Sequence, residues 1–310
     1  MSLILRLGTR SSRLARMQSD GVAQSLEVIH PGLRVETILI STTGDQIQDR
    51  PLHEAGGKGL FTKEIELALL DNRIDLAVHS YKDVPVTMPL VDQHNLVFAA
   101  VPAREDPRDV LVCSAARSID DLPRGAKVGT GSLRRRSQLL ACRPDLVVEM
   151  IRGNIDTRLK KLREGQYDAI VLALAGVRRA DLFDGQLMSP IDIDQMLTAP
   201  AQGALAIQCR ADDARARDML RPLNDRPTEA CVNLEREIVR KLNGDCHSPI
   251  AALATVNGRQ IELRSAVAAR GGEPPVVRAV ATVEAGDITS LVETVFQQLV
   301  SQGAEKLLAG

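Results

Sequence analysis

Residues 127–136 read Lys-Val-Gly-Thr-Gly-Ser-Leu-Arg-Arg-Arg. A short apolar run closes at Gly129, a Gly-Thr-Gly turn follows, and Ser132 stands where a helix N-cap belongs, so the stretch is a strand running directly into a helix. The same unit recurs in both directions. Downstream, a strand over Leu146 to Ile151 precedes a helix from Asn154, and a strand over Asp168 to Leu174 precedes Gly176. Upstream, Leu3 to Leu7 precedes a helix from about Ser12, and Arg34 to Ile40 alternates at period two. Ile65, Ala68 and Leu69 follow Phe61 at helical spacing, and Ile74 to Val78 is apolar again. This rhythm predicts α/β domains with mostly parallel sheets, whose ligands sit beyond the carboxyl ends of the strands.

Three polar breaks divide the 310 residues, which are more than one compact core usually holds. Pro102 to Pro107 and Thr198 to Gly203 bound the middle series of strands and helices, and after Pro222 to Pro227 the pattern changes. Beyond, a helix with Cys231, Leu234, Ile238 and Leu242 on one face stops at Asn243-Gly244, a good left-handed cap. Strand-like runs Ile250 to Val256, Ile261 to Ala268 and Val276 to Val283 come next, then a helix from about Asp287. Grouped strands beside helices predict a small α+β third domain.

Composition removes several classes of function. With 39 basic and 40 acidic residues there is no global basic surface for nucleic acid, and six aromatics without tryptophan leave little for base stacking. The longest apolar runs, such as Ile170 to Ala175, fall far short of the ~20 residues of a membrane helix. No secretory apolar segment follows Met1, so a cytoplasmic protein is expected. Five cysteines, odd in number and without a C-x-x-C, suit neither a disulfide framework nor a zinc site. Cys113, Cys142, Cys209 and Cys231 occupy apolar or amphipathic stretches, whereas Cys246 sits in the polar turn Gly244 to Pro249 and is the thiol most able to react. A Cys246-His247 nucleophile and base pair is disfavoured, because adjacent side chains seldom point together and no third orienting group follows.

Of the basic residues 31 are arginine and eight lysine, and arginine grips carboxylate or phosphate in a fork. Ser132 and the free N–H groups of the 132–136 turn make an anion seat, and Arg134 and Arg135 stand in a first helical turn, where positive charge opposes the dipole. Arg134 also occupies the third-glycine position, so this is no dinucleotide fingerprint. Arg152 and Arg158 flank the next strand end and Arg178-Arg179 the one after, an arrangement best explained by a polyanionic ligand. Gly56-Gly57-Lys58-Gly59 lacks the spacing of a phosphate-binding P-loop, which counts against a phosphate-using transferase; it suits a loop bringing an ammonium to a ligand or a plain surface loop. Ser80, Lys82 and Asp83 follow the strand Ile74 to Val78, where a carboxylate beside a lysine is either a general acid or a solvated pair in a turn.

Taken together, Leu7-Gly-Thr-Arg-Ser-Ser12, Gly56-Gly-Lys-Gly-Leu-Phe61, Val78-His-Ser-Tyr-Lys-Asp-Val-Pro85, Arg104-Glu-Asp-Pro-Arg-Asp109, Gly129-Thr-Gly-Ser-Leu-Arg-Arg135, Arg152-Gly-Asn154 with Thr157-Arg-Leu159, Gln202-Gly-Ala204 and the Cys246 turn resemble the porphobilinogen deaminase (hydroxymethylbilane synthase) family. Eight motifs in order, spanning nearly the whole chain, are specific where any one alone is not. The resemblance implies two domains like those of type II periplasmic binding proteins around a cleft, 1–101 with 199–219 and 102–198, plus a small α+β domain, 220–310. It implies a transferase that condenses four porphobilinogen units head to tail with loss of ammonia, on a dipyrromethane cofactor bound through a thioether to Cys246. No metal is required, and a cytoplasmic monomer without nucleic-acid or membrane partners is expected.

Each pyrrole carries an acetate and a propionate, so the growing oligopyrrole chain is a polyanion. By motif position Ser12, Lys82, Ser132, Arg134 and Arg135 would hold the cofactor, and Arg10, Lys58, Ser80, Arg152, Arg158 and Arg179 the substrate. Asp83 would be the catalytic carboxylate, accepting pyrrole N–H bonds and stabilising the cationic azafulvene formed as ammonia leaves. Glu54, Gly131 and Arg13 depart from the commoner pattern, which has lysine in some members, serine in many and proline in many at these positions; the neighbours of Cys246 vary too. A solute-binding protein sharing the cleft is the rival from another class, opposed by the third domain and the Cys246 turn.

Overall fold

The computed structural model describes residues 3–46, 59–86, 95–245, 247–284 and 288–309. In chain order its elements are β1 (Leu3–Thr9), α1 (Arg13–Ile29), β2 (Leu33–Leu39), α2 (Thr43–Gln46), α3 (Lys63–Leu70), β3 (Leu76–Ser80), β4 (Leu96–Ala100), β5 (Asp109–Val112), β6 (Lys127–Gly129), α4 (Leu133–Cys142), β7 (Val147–Glu149), α5 (Ile155–Arg163), β8 (Ala169–Ala173), α6 (Leu174–Arg179), β9 (Met188–Pro190), β10 (Leu205–Arg210), α7 (Ala214–Leu220), α8 (Arg226–Lys241), β11 (Ile250–Asn257), β12 (Gln260–Ala268), β13 (Val276–Glu284), α9 (Ile288–Ser301) and α10 (Ala304–Ala309). They form two compact units, 1–105 with 204–229, and 106–203 with 230–310.

In the first unit the sheet order is β2-β1-β3-β10-β4. β1 pairs in parallel with β2 and β3, while β10 runs antiparallel to both β3 and β4. Period-two alternation sends Leu5, Leu7, Leu76 and Val78 to one face, against Val22 and Leu26 of α1. Ala77 points to the other, against Ile65, Ala68 and Leu69 of α3.

The second unit repeats this plan in the order β7-β6-β8-β5-β9, with β6 parallel to β7 and β8, and β5 antiparallel to β8 and β9. Val128, Val171 and Leu111 pack with Leu139 of α4, and Ile170, Leu172 and Val110 with Leu159 of α5. The same unit holds a three-stranded antiparallel sheet, β11-β12-β13, with the buried Leu291, Val295 and Leu299 of α9. The protein is thus mixed α/β, with two sheets of type II periplasmic-binding-protein order and a small C-terminal sheet-and-helix part.

One expectation needs correction. The large sheets are not mostly parallel: in each, two of the four pairings are antiparallel. The crossing strands β10 and β5 join from distant sequence, and local periodicity does not report the direction of a distant partner. Of the cysteines in apolar or amphipathic stretches, Cys142 is exposed at the end of α4, whereas Cys113, Cys209 and Cys231 are buried. Among the described residues no helix is long and apolar enough to cross a membrane.

Candidate functional site

The carboxyl ends of β1 and β3 lie on one edge of the first sheet, because the two strands are parallel with Leu7 beside Leu76. After β1, Arg10 lays its guanidinium 4.0 Å from the centroid of Phe61, and Ser12 caps α1, its Oγ accepting from the Ala15 N–H at 3.4 Å. Arg13 takes the first helical position, where proline would be compatible. After β3 the chain makes one 3-10 turn, Tyr81–Asp83, anchored by the Tyr81 N–H on the Ala204 carbonyl at 3.1 Å. Ser80 Oγ lies 3.0 and 3.1 Å from the amide nitrogen and oxygen of Gln18, a partner unnoticed in the sequence. Lys82 is half-buried, and Asp83 is exposed with no hydrogen-bond or ion-pair partner among the described residues. Arg10, Ser12, Ser80, Lys82 and Asp83 therefore share one sheet edge; Lys58 and Glu54 lie outside the described residues.

The second sheet brings its predicted residues to the matching edge, since β6, β7 and β8 are parallel and end together. Ser132 caps α4, its Oγ accepting from the Arg135 N–H at 3.5 Å. Asn154 caps α5 through Thr157 N–H at 2.9 Å. Gly153 has φ +111°, and a Cβ there would stand 2.6 Å from Thr157, so this turn needs glycine. At Gly131 a Cβ would meet the Ile151 carbonyl at 3.1 Å, so a serine there requires a small backbone adjustment. Arg158 donates through Nε to the Gly153 carbonyl at 2.8 Å, and Arg179 through Nη2 to that of Gly203 at 2.8 Å. Arg152 is half-buried with no side-chain partner among the described residues.

Arg134 and Arg135 are not a solvated face: they are 4% and 6% exposed and share the fully buried carboxylate of Asp109. Arg134 Nη1 reaches Oδ2 at 2.8 Å, and Arg135 reaches Oδ1 through Nη2 at 2.8 Å and Nε at 3.1 Å. Gln202 Nε2 adds a bond to Oδ1 at 2.8 Å. Burial would raise the Asp109 carboxyl, but the charge and hydrogen bonds of the two guanidiniums hold it well below the usual carboxylate range. Arg134 Nε is buried without a hydrogen-bond partner among the described residues. The cluster thus offers two guanidiniums to one carboxylate and leaves one donor unsatisfied, a residue set that fits a carboxylate-bearing group such as dipyrromethane. Asp109 lies in the quoted 104–109 motif, but its role rests on partners 25 and 26 residues away that the motif does not reveal.

Cys246 lies outside the described residues. Its neighbours form a tight turn in which Asp245 Oδ1 accepts from the His247 N–H at 2.9 Å, the Ser248 N–H at 2.8 Å and Ser248 Oγ at 2.9 Å. No group of three or more metal-ligating side chains occurs among the described residues.

Two α/β sheets of one plan each gather hydroxyls and cations at their strand ends, a donor set whose chemistry suits an anion. Residues 5–218 match the family model described as porphobilinogen deaminase, dipyromethane cofactor binding domain, and 229–299 its C-terminal domain. Similar curated proteins include the porphobilinogen deaminases of Syntrophotalea carbinolica, 46% identical over 99% of this chain and 96% of that protein, and Acidithiobacillus ferrooxidans, 48% identical over 98% and 97%. The chain belongs to the porphobilinogen deaminase family. Among solved structures it is similar to a TRAP periplasmic solute binding protein from Desulfovibrio salexigens, at 11% identity and TM-score 0.43 over 72% of this chain and 73% of that one. A methionine binding protein matches at 15% identity and TM-score 0.42 over 71% and 89%.

Proposed function

We propose that this chain condenses four porphobilinogen molecules head to tail, with release of ammonia, into the linear tetrapyrrole hydroxymethylbilane. It does so as a three-domain cytoplasmic monomer with dipyrromethane tethered to Cys246. When bound, that group supplies the free pyrrole end on which the chain grows. The carrying observation is the buried Arg134-Asp109-Arg135 cluster at the edge of the second sheet, with its unsatisfied Arg134 Nε.

Ser132, Arg134 and Arg135 hold cofactor carboxylates, and Ser12 and Lys82 take the same role by motif position. Arg10, Lys58, Ser80, Arg152, Arg158 and Arg179 take the acetates and propionates of incoming and added rings, because fork-shaped donors match carboxylates. Asp83, exposed at a strand end, accepts the pyrrole N–H and offsets the cation that develops as the aminomethyl nitrogen leaves. A fixed negative charge there acts more strongly in the transition state than in the ground state, which is the requirement for catalysis. The test is ammonia release from porphobilinogen by the purified protein, alongside its intact mass. Turnover with one covalent dipyrromethane per chain is expected; an unmodified, inactive protein that only binds solutes would favour the binding-protein alternative.

A further inference from the structure

Beneath the turn that carries Lys82 and Asp83 lies a row of buried polar side chains that the reaction as described does not use. β3 and β10 are antiparallel neighbours with Ala206 beside His79 and Gln208 beside Ala77, so His79 and Gln208 are diagonal neighbours on the face that packs against α3. Gln208 Nε2 donates to Glu66 Oε1 of α3 at 3.0 Å, and Gln208 Oε1 lies 3.0 Å from His79 Nε2. Glu66 and Gln208 are fully buried and His79 is 6% exposed. The row continues through rings: His79 meets Phe98 edge-on at 6.4 Å, and Phe98 lies 5.3 Å from Tyr81, the first residue of the turn.

Such a row is costly to maintain. Glu66 Oε2 is buried without a hydrogen-bond partner among the described residues, and burial, against the opposing Gln208 hydrogen bond, pushes the Glu66 carboxyl up. His79 is pushed down to about 4 by burial, with Gln208 opposing and the charge of Arg10 adding to the fall. Apolar side chains of similar shape would serve stability as well, whereas directional bonds fix geometry. We infer that Glu66, Gln208 and His79 are positioning residues, a buried chain that sets the β3 end and thereby aims Ser80, Lys82 and Asp83 at the reacting pyrrole. The inference rests on the role given to those three residues above. It explains why a strand that is otherwise apolar carries a histidine one residue before Ser80, and why the centre of β10 carries a glutamine.

Steady-state kinetics on cofactor-loaded protein test this, with occupancy checked by intact mass and folding by thermal unfolding. Gln208→Met and Glu66→Leu keep approximate size and remove the directional bonds. A misplacement of the turn should lower kcat about tenfold in each at nearly unchanged KM, because remote displacement acts on the near-attack geometry. Glu66→Gln retains an acceptor for the Gln208 amide and should lose less than about threefold. If either breaking variant fails to fold, the other carries the test. Parent-like kcat in a folded, loaded breaking variant overturns the inference, as does a loss that merely tracks occupancy or folded fraction, or an equal loss in Glu66→Gln and Glu66→Leu. A parent that does not consume porphobilinogen contradicts the functional reading itself and takes the inference with it.

Discussion

Arg135 closes a fork on a single oxygen of Asp109, Nη2 at 2.8 Å and Nε at 3.1 Å, in a site where the carboxylate has no exposed surface. The third donor of that guanidinium, Nη1, reaches the Val171 carbonyl of β8 at 2.9 Å, and Arg134 spans from Asp109 to the Leu197 carbonyl at 2.6 Å. Positive charge in the first turn of α4, unfavourable for the helix alone, is thereby compensated from β5.

Removing the Asp109 charge should leave two buried guanidiniums without a counter-charge. Asp109→Asn is expected to cost about 3–5 kcal/mol, as breaking one side of a buried ion pair does. Urea unfolding of parent and variant measures this. A loss below 1 kcal/mol, on the order of a surface pair, would show that the cluster is solvated in solution.

Arg134→Leu and Arg135→Leu each leave Asp109 one guanidinium. Both variants should remain folded, be destabilised by roughly 1.5–3 kcal/mol, and load cofactor poorly or turn over slowly. Intact mass and steady-state kinetics separate the two effects. Full loading with normal kinetics in both would leave these arginines a purely structural role.

For Asp83 the expected loss is in turnover. Asp83→Asn keeps size and removes the charge, so kcat on loaded protein should fall ~10² or more, with melting temperature little changed because the residue is exposed. Asp83→Glu should retain measurable activity. Ammonia release at the parent rate by loaded Asp83→Asn would contradict the catalytic role.

His79 gives a pH dependence whose sign is fixed by its depressed pKa. The unfolded chain takes up a proton near 6.5 and the folded one near 4, so stability falls as pH drops through that window and the penalty is constant below it. Glu66, raised in the folded state, acts in the opposite sense above 4.5. Comparison with His79→Gln isolates the histidine: the parent's advantage over the variant should shrink by up to about 3 kcal/mol between pH 6.5 and 4. Parallel stability curves would show that His79 is not held neutral.

Local features were legible in the sequence because their causes are local. Ser12, Ser132 and Asn154 cap α1, α4 and α5 as their positions imply. The run Ile261 to Ala268 lies within β12, and Asn243, with φ +50°, supplies the left-handed residue after α8. β5 and β10 were missed as crossing strands, since runs of four and six residues do not state which distant strand they join or in which direction. The strand ends gathered arginine as the βα pattern implied, but the Asp109 counter-charge and the Gln18 contact to Ser80 depend on tertiary approach across 25 or more residues. Charge opposed to a helix dipole was a signal for a partner, and it did not say whether that partner belonged to the chain.

The central claim is that the chain carries its primer on one cysteine. Cys113, Cys209 and Cys231 are buried, and burial raises the Cys209 thiol to about 11, whereas Cys142 is exposed and so is a fair competitor. Peptide mass mapping of the purified protein and of Cys246→Ser decides the matter. The expected result is a dipyrromethane adduct on the parent peptide containing Cys246, and no stable adduct on Cys246→Ser. An unmodified parent, or an adduct on Cys142 or any other cysteine, would contradict it.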